Sequence, residues 1–355
     1  MDNISQKAKK HWDNIAKPID SLGLLEDYVV KLCHISGSDK PYELDKKALV
    51  IMCGDHGVVA EGVTQTGSEV TRIVSENFAK GKSCVNQMAN VTGADVFTVD
   101  IGMLGERYPE KSLVTDSVID RRVASGTKNL AVEAAMSLKE CKEAIQIGID
   151  IVGELKAKGY RIIATGEMGI GNTTPTSALA AAFLGLATSQ VVGRGAGLSD
   201  EGMRRKIQAI DKAIERVRGL GYALEQSERI TSPVELLAQL GGLEIAGMVG
   251  MFLGGVEHKL PIVIDGAISA VAALVADSID KRVGEYCLAS HVSDEITGGL
   301  ALEKLGQKAI IHGKLRLGEG SGAVALFPLL DMAMSVYENM GSFQEYEIQA
   351  YERFE

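Results

Sequence analysis

Apolar residues along the chain gather in short continuous runs, each closed by glycine and followed by a longer stretch with helical periodicity. The first run is Ala48-Leu-Val-Ile-Met-Cys53, which leaves through Gly54-Asp55-His56-Gly57. A run of that length with a glycine-rich exit predicts a strand buried on both faces, as in parallel sheets. A helical stretch follows to Asn90, and a second strand over 95–100 is closed by Gly102. Residues 131–157 read as one or two helices, and 161–165 as the next strand, with the exit Gly166-Glu-Met-Gly-Ile-Gly-Asn-Thr-Thr174. Helices are expected over 175–187 and 200–225. A strand at 260–264 then runs into Asp265-Gly266 and an alanine-rich helix. Leu317-Gly-Glu-Gly-Ser-Gly322 precedes an apolar helix reaching about Met340, and the polar tail from Gly341 packs as an extension.

Before the first strand, Ile15, Ile19, Leu22 and Leu25 recur at helical spacing, with Pro18 as a break. Strand, glycine loop and helix in repetition predict an α/β fold: a parallel sheet with helices on both faces. Ligands of such sheets bind at the carboxyl ends of the strands, which is where each candidate motif falls. The chain shows neither an internal repeat nor a low-complexity linker.

Composition narrows the functions this fold can carry. Hydrophobic residues make up 46% and charged residues 24%, enough for a sizeable core. The net charge of −10, from 37 basic and 47 acidic residues, argues against a broad nucleic-acid surface. An anionic substrate would therefore need local cations and backbone amides. Cys33, Cys53, Cys84, Cys141 and Cys287 are scattered without a CxxC pair, which reads as reduced thiols of a cytoplasmic protein. No apolar h-region follows the first residues, and apolar runs stop short of membrane-spanning length, so neither a signal peptide nor a membrane partner is expected.

The strand exits hold the candidate chemistry. In 166–174 the glycines let backbone N–H groups approach an anion, and the helix that follows adds the positive end of its dipole. Thr173 and Thr174 can cap that helix or donate to phosphate oxygens; an unliganded tight turn is the plainer alternative. Gly81-Lys82-Ser83 is not a phosphate loop of the Walker kind, because Glu76 stands where its first glycine belongs. A second glycine-rich loop, 193–200, precedes Arg204, Arg205 and Lys206, which are either a solvated helix face or a route to a phosphate. Glu319, between two glycines, is a candidate general base if its surroundings lift its pKa, or else an acidic helix cap. Asp265 can bind ribose hydroxyls or cap the next helix. Gly54-Asp55-His56-Gly57 can hold a metal, a phosphate or merely turn the chain, and His258 and His291 stand isolated.

Together these segments resemble the nicotinate-nucleotide–dimethylbenzimidazole phosphoribosyltransferase family through nearly the whole chain. The resemblance rests on Lys17-Pro18 with Ser21-Leu-Gly23, Gly54-Asp-His-Gly-Val-Val-Ala-Glu-Gly62, Glu69-Val-Thr71, the 166–174 string, Gly193-Arg-Gly195, Asp265-Gly266, Ser290-His-Val-Ser293 and Arg316-Leu-Gly-Glu-Gly-Ser-Gly322. It implies a Rossmann-like large domain (46–324), a small helical domain from both chain ends (1–45 with 325–355), and a homodimer. It also implies the reaction: ribose 5-phosphate moves from nicotinate mononucleotide to an aromatic lower-ligand base of a cobamide, leaving nicotinate and an α-linked ribotide.

Residue by residue, the resemblance makes Glu319 the general base. Glu167, Gly169, Ile170, Gly171, Asn172 and Thr173 become the ribose-phosphate loop, joined by Gly195. Lys206 becomes a phosphate contact, and Asp265 and Ser293 line the nucleotide site. The cationic pyridinium already activates the leaving group, and no metal or cofactor is expected, since the substrate has no pyrophosphate to neutralise. The acceptor pocket is expected at Thr66 and Val74, where the family usually has Ser and Gln, with Leu315 against the ring. These two departures widen the expected acceptors from benzimidazoles to purines or phenols. Asp20 stands where the family usually has Gly, and Ile296-Thr297-Gly298-Gly299 replaces a Pro-containing stretch. Two other readings stay open: a subunit of a heterodimeric transferase or non-catalytic nucleotide-binding partner, and a metal-dependent hydrolase using Asp55 and His56.

Overall fold

A computed structural model describes residues 3–41, 43–195, 197–222 and 232–353. Among the described residues six strands form one sheet: β1 (Lys47–Gly54), β2 (Ala94–Gly102), β3 (Val118–Asp120), β4 (Ile162–Met168), β5 (Ile262–Ile264) and β6 (Cys287–Ala289). Their order is β3-β2-β1-β4-β5-β6, with every pair parallel, as the runs of apolar residues require. The chain leaves β1 for β2 on one side and returns to β4 on the other. The order thus reverses beside β1, where open parallel sheets form a crevice at their carboxyl ends.

Helices cover both faces. Helices α1 (Asn3–Asn14) and α2 (Leu24–Ser36) precede the sheet. Helices α3 (Glu69–Ala79) and α4 (Cys84–Thr92) join β1 to β2, and α5 (Leu138–Ala157) leads into β4. Between β4 and β5 lie α6 (Thr173–Leu184), α7 (Thr188–Val191), α8 (Asp200–Gly219), α9 (Pro233–Leu240) and α10 (Leu243–His258). Then come α11 (Ala267–Ile279) and α12 (Val283–Tyr286) before β6, and α13 (Ile296–Lys304) and α14 (Ser321–Asn339) after it. Alternate residues of β1 divide between two cores. Ala48, Val50 and Met52 pack with Val152, Met248 and Val271, whereas Leu49, Ile51 and Cys53 pack with Trp12, Leu32, Val85 and Phe327. The helices of the two chain ends do meet, and their core continues into the strands of the second face.

Several expectations shift. Of the periodic residues, Ile15, Ile19 and Leu22 fall on the turn between α1 and α2 and only Leu25 is helical, in the first turn of α2, because Pro18 cannot continue a helix and the pattern outlives it. The helix expected from residue 131 starts at Leu138: the Ser137 hydroxyl accepts from the Glu140 N–H at 3.2 Å and the Glu140 carboxylate accepts from the Ser137 N–H at 2.7 Å. That capping box fixes the start, and such a cap contributes about 1 kcal/mol. The stretch to Asn90 is two helices split at Gly81. The short strands β3 and β6 and the helix α10 carried no reading, and the helix expected over 200–225 ends at Gly219, with Leu220 as its cap and Gly221 turning the chain at a φ of 87°. Asp20 has a φ of 54°, a left-handed conformation that glycine adopts without strain, which accounts for the family's Gly there. Arg353 of the tail grips the Asp20 carboxylate at 2.7 and 2.8 Å and Asp13 at 2.7 and 3.0 Å, so the expected extension packs on α1 and the turn that follows it, a partner the sequence did not indicate.

Candidate active site

A cavity of about 360 Å3 opens at the carboxyl ends of β4 and β5. The exits of four strands build it: 63–66 after β1, 167–173 from β4, 265–269 after β5, and His291 and Ser293 after β6, with 316–319 closing one side. Of the residues expected at the site, Glu167, Gly169, Ile170, Gly171, Asn172, Thr173, Gly195, Asp265, Ser293, Glu319 and Thr66 line this cavity. Lys206, Val74 and Leu315 do not.

Glu319 reaches the cavity on a strained backbone. Gly318, Glu319 and Gly320 have φ values of 82°, 62° and 91°, three left-handed residues in a row. A side chain at Gly318 would meet Glu167 Oε1 at 2.5 Å and one at Gly320 would run into Leu49 Cδ1, so only glycines fit beside it. A non-glycine residue held left-handed costs about 1–3 kcal/mol and concentrates at functional sites. The Glu319 carboxylate accepts from the Val85 N–H at the start of α4, while its Oε2 is buried without a partner. Burial lifts the Glu319 pKa above the ordinary range, the Val85 N–H opposes the rise, and the charge of Asp265 adds to it.

Glu167 is a second carboxylate of different character. Burial, reinforced by the nearby charges of Asp265 and Glu244, pushes it up to about 8, and it accepts from the Asn172 side-chain amide. At neutral pH it is mostly protonated, so it does not repel an anion lying on the 169–173 turn. Thr173, the first residue of α6, faces the cavity at the positive end of that helix. Lys206 supports it from behind. Its ammonium is fully buried and donates to Thr173 Oγ1 at 2.8 Å and to the Gly193 carbonyl at 2.9 Å. Burial lowers Lys206 to about 8, against the pull of Glu295. The lysine expected to touch a phosphate thus sits one layer beneath the cavity wall, because α8 packs it against the 193–195 loop instead of the opening.

Asp265 is likewise engaged within the protein. Its Oδ1 accepts from the Ala323 N–H at 3.0 Å and its Oδ2 from the Gly320 N–H at 3.2 Å, with the Gly322 N–H adding a third bond. It caps α14, not the helix that follows it in sequence, and so ties β5 to the Glu319 loop. Of the acceptor positions, Val74 is half-buried on α3 against the core of the second sheet face, and Leu315 is half-buried outside the cavity. The Asp55-His56 pair is buried. His56 Nε2 bonds Glu244 Oε1 at 2.8 Å, and Asp55 Oδ2 accepts from the Leu104 N–H at 2.8 Å. Among the described residues no cluster of three His, Cys, Asp or Glu is placed to share a metal ion.

The sequence reading missed Gln65, Arg194, Glu295 and His291 at the cavity. Arg194 lay inside a motif singled out for its glycines, and His291 lay inside Ser290-His-Val-Ser293, so both could have been found there.

Comparison with known proteins agrees with this geometry. The family described as "Phosphoribosyltransferase" matches residues 1–348. The nicotinate-nucleotide–dimethylbenzimidazole phosphoribosyltransferase of Acetivibrio thermocellus is 41% identical over 344 residues, covering 97% of this chain and 93% of that protein. The enzyme of the same name from Ruminiclostridium cellulolyticum is 40% identical over 350 residues, covering 99% and 95%. Among solved structures, CobT from Thermus thermophilus superposes with a TM-score of 0.89 at 36% identity, covering 99% of this chain and all of that one. With the glycine turns, the Glu319 loop and the parallel sheet all in place, the chain belongs to the nicotinate-nucleotide–dimethylbenzimidazole phosphoribosyltransferase family.

Proposed function

We propose that this protein transfers ribose 5-phosphate from nicotinate mononucleotide to an aromatic lower-ligand base of the benzimidazole type, for cobamide synthesis. The observation that carries the reading is Glu319: a carboxylate with one unpartnered buried oxygen, held on a strained loop opposite a glycine-rich turn at a helix start. The turn and Thr173 receive the phosphate, and the acceptor lies between the ribose and Glu319. The acceptor ring nitrogen attacks C1′ with its lone pair, and the bond to the pyridinium breaks, returning its electron pair to nicotinate. The acceptor's N–H proton passes to Glu319. Attack opposite the departing ring inverts the anomeric carbon, so a β-nucleotide gives an α-ribotide. Holding the two reactants in line supplies much of the acceleration, and proton removal supplies the rest.

The same reading includes a homodimer and the residue roles named above. Among the described residues no helix is long and apolar enough to cross a membrane. The test is to incubate the purified protein with nicotinate mononucleotide and a panel of benzimidazoles, purines and phenols, and to identify products by mass. Nicotinate release that depends on an acceptor, with a ribotide of matching mass, is expected. Release without any acceptor, or no release with the whole panel, would refute the reading.

A further inference from the structure

The strings Gly54-Asp55-His56-Gly57 and Glu69-Val70-Thr71 hold no part in the reaction proposed above, yet both abut the turn assigned to the phosphate. The inference here rests on that reaction. His56 follows β1 with its side chain wholly buried, and its Nε2 bonds Glu244 Oε1 at 2.8 Å. Glu244 is the second residue of α10, where the positive end of the helix favours a carboxylate. Among the described residues His56 Nδ1 and Glu244 Oε2 have no partner, so the two side chains are bonded only to each other. Neither residue lines the cavity.

Glycines of three segments close on this pair. A Cβ on Gly169 would run into the Gly54 carbonyl and lie 3.1 Å from His56 Nε2 and 3.3 Å from its Cδ2. One on Gly242 would run into His56 Cε1 and meet Glu244 Oε2 at 2.7 Å, and one on Gly54 would meet the same oxygen at 3.0 Å. The backbone of the 169–171 turn therefore rests directly on the imidazole. A second tether holds the next residue: Thr71 Oγ1 accepts from the Ile170 N–H at 3.1 Å and donates to the Asp55 carboxylate. Asp55 and His56, adjacent in the chain, thus hold Ile170 and Gly169, adjacent in the turn. A buried polar pair is a poor source of stability, since apolar side chains of similar volume serve as well. What it adds is direction, because its hydrogen bond fixes the orientation of the ring.

We propose that His56, held by Glu244, is a positioning residue of the transferase: the pair sets the depth of the 169–171 turn, and acts on donor binding through that turn without touching substrate. A displacement of about 1 Å in a binding turn is enough to cost up to roughly a hundredfold, even when the altered residue lies away from the chemistry.

The experiment measures kcat, KM for nicotinate mononucleotide and for dimethylbenzimidazole, and inhibition by ribose 5-phosphate and by nicotinate, which has no phosphate. Removing one partner alone leaves the other buried and unpaired, so both are exchanged together. The double variant His56→Leu with Glu244→Leu should melt within about 5 °C of the wild type. Its donor KM and its inhibition constant for ribose 5-phosphate should rise at least about tenfold, with kcat, acceptor KM and nicotinate inhibition within about threefold. Glu244→Gln keeps an acceptor for the His56 Nε2–H, and its donor KM should stay within about threefold of the wild type. His56→Gln keeps a donor for Glu244 but loses the ring, and should raise the donor KM roughly three- to tenfold, whether or not the double variant folds. A purely structural pair would lower kcat through loss of folded protein and leave both KM values unchanged, which would overturn the proposal. So would a wild-type donor KM in the double variant or, should that not fold, in His56→Gln. A Glu244→Gln variant as impaired as the double exchange would also overturn it, since position would then not be what the pair supplies. A wild type that releases no nicotinate sinks the proposed reaction and the positioning role together. An active wild type whose variants keep its donor KM sinks the positioning role alone.

Discussion

The floor and the rim of the cavity are built on different principles. On the floor, Glu167, Asn172, Asp265 and Glu319 are held by buried hydrogen bonds from strands and helix starts, and all three carboxylates have pKa values lifted by burial. On the rim, Arg194 pairs with Asp200 at 2.5 Å and Arg316 with Asp294 at 3.5 Å, between side chains 38% to 80% exposed. Exposed pairs of this kind contribute little, about 0–1 kcal/mol, and they rearrange readily. The contrast separates chemistry from choice. A floor held in place performs one displacement, whereas a soft rim can accommodate different acceptors. Substitutions on the floor should therefore change turnover by orders of magnitude, and those on the rim only the preference among acceptors.

The largest effect is expected at Glu319. Glu319→Gln keeps the size and the bond to Val85 but cannot take a proton. Turnover should fall about a hundredfold to ten-thousandfold, with nucleotide affinity nearly unchanged. Near-full turnover in this variant would remove the residue from the mechanism and erase the contrast with the rim.

Lys206 tests whether the layer beneath the floor matters. Lys206→Ala removes the donor to Thr173, and nicotinate mononucleotide should bind roughly ten- to hundredfold more weakly by calorimetry while the acceptor KM changes little. Thr173→Val should reproduce most of that loss if the lysine acts through the threonine. An affinity change below about 0.5 kcal/mol in Lys206→Ala would make the ammonium a structural tie only.

Glu167 predicts a pH dependence. Its folded value of about 8 means that it is protonated at neutral pH and gains a negative charge as pH rises through that value. Affinity for the anionic nucleotide should then fall, by about tenfold between pH 7 and 9, and Glu167→Gln should flatten this alkaline limb. Glu319 acts in the opposite sense. As a base it must be ionised, so turnover should decline on acidification at a pH above the ordinary glutamate value. Profiles without either limb would contradict the assigned environments.

The smallest effects belong to the acceptor end. Thr66 borders the cavity, and Thr66→Ala should shift the product ratio between dimethylbenzimidazole and phenol, offered together, by about two- to fivefold. Val74→Gln should shift it less, because Val74 packs against the core. A larger shift from Val74 than from Thr66 would show that the acceptor extends past the cavity toward α3.

Legibility in the sequence follows the same division. The 166–174 and 316–322 strings announced the floor, because a turn that brings backbone to a ligand needs its glycines in consecutive places, and local spacing records that need. Contacts between distant segments left no such mark. Asp265 reads locally as a cap for α11, yet it caps α14. Lys206 reads as part of a basic helix face, yet it lies beneath Thr173. His291 reads as isolated, because Ser290, Gly266 and the cavity surround it only after folding. The N-terminal periodicity misled for a related reason: Ile15 follows α1, its backbone bridged to Ser342 of the tail, and its side chain is buried in the core of the second sheet face and not on a helix of its own.

The most direct test of the account is the anomeric configuration of the ribotide made from nicotinate mononucleotide and dimethylbenzimidazole, read by NMR alongside nicotinate release in the wild type and Glu319→Gln. An α-linked product formed one-to-one with nicotinate, and slowed at least a hundredfold by the substitution, is the predicted result. A β-linked product, or free ribose 5-phosphate in place of a ribotide, would contradict a single in-line displacement with Glu319 as its base.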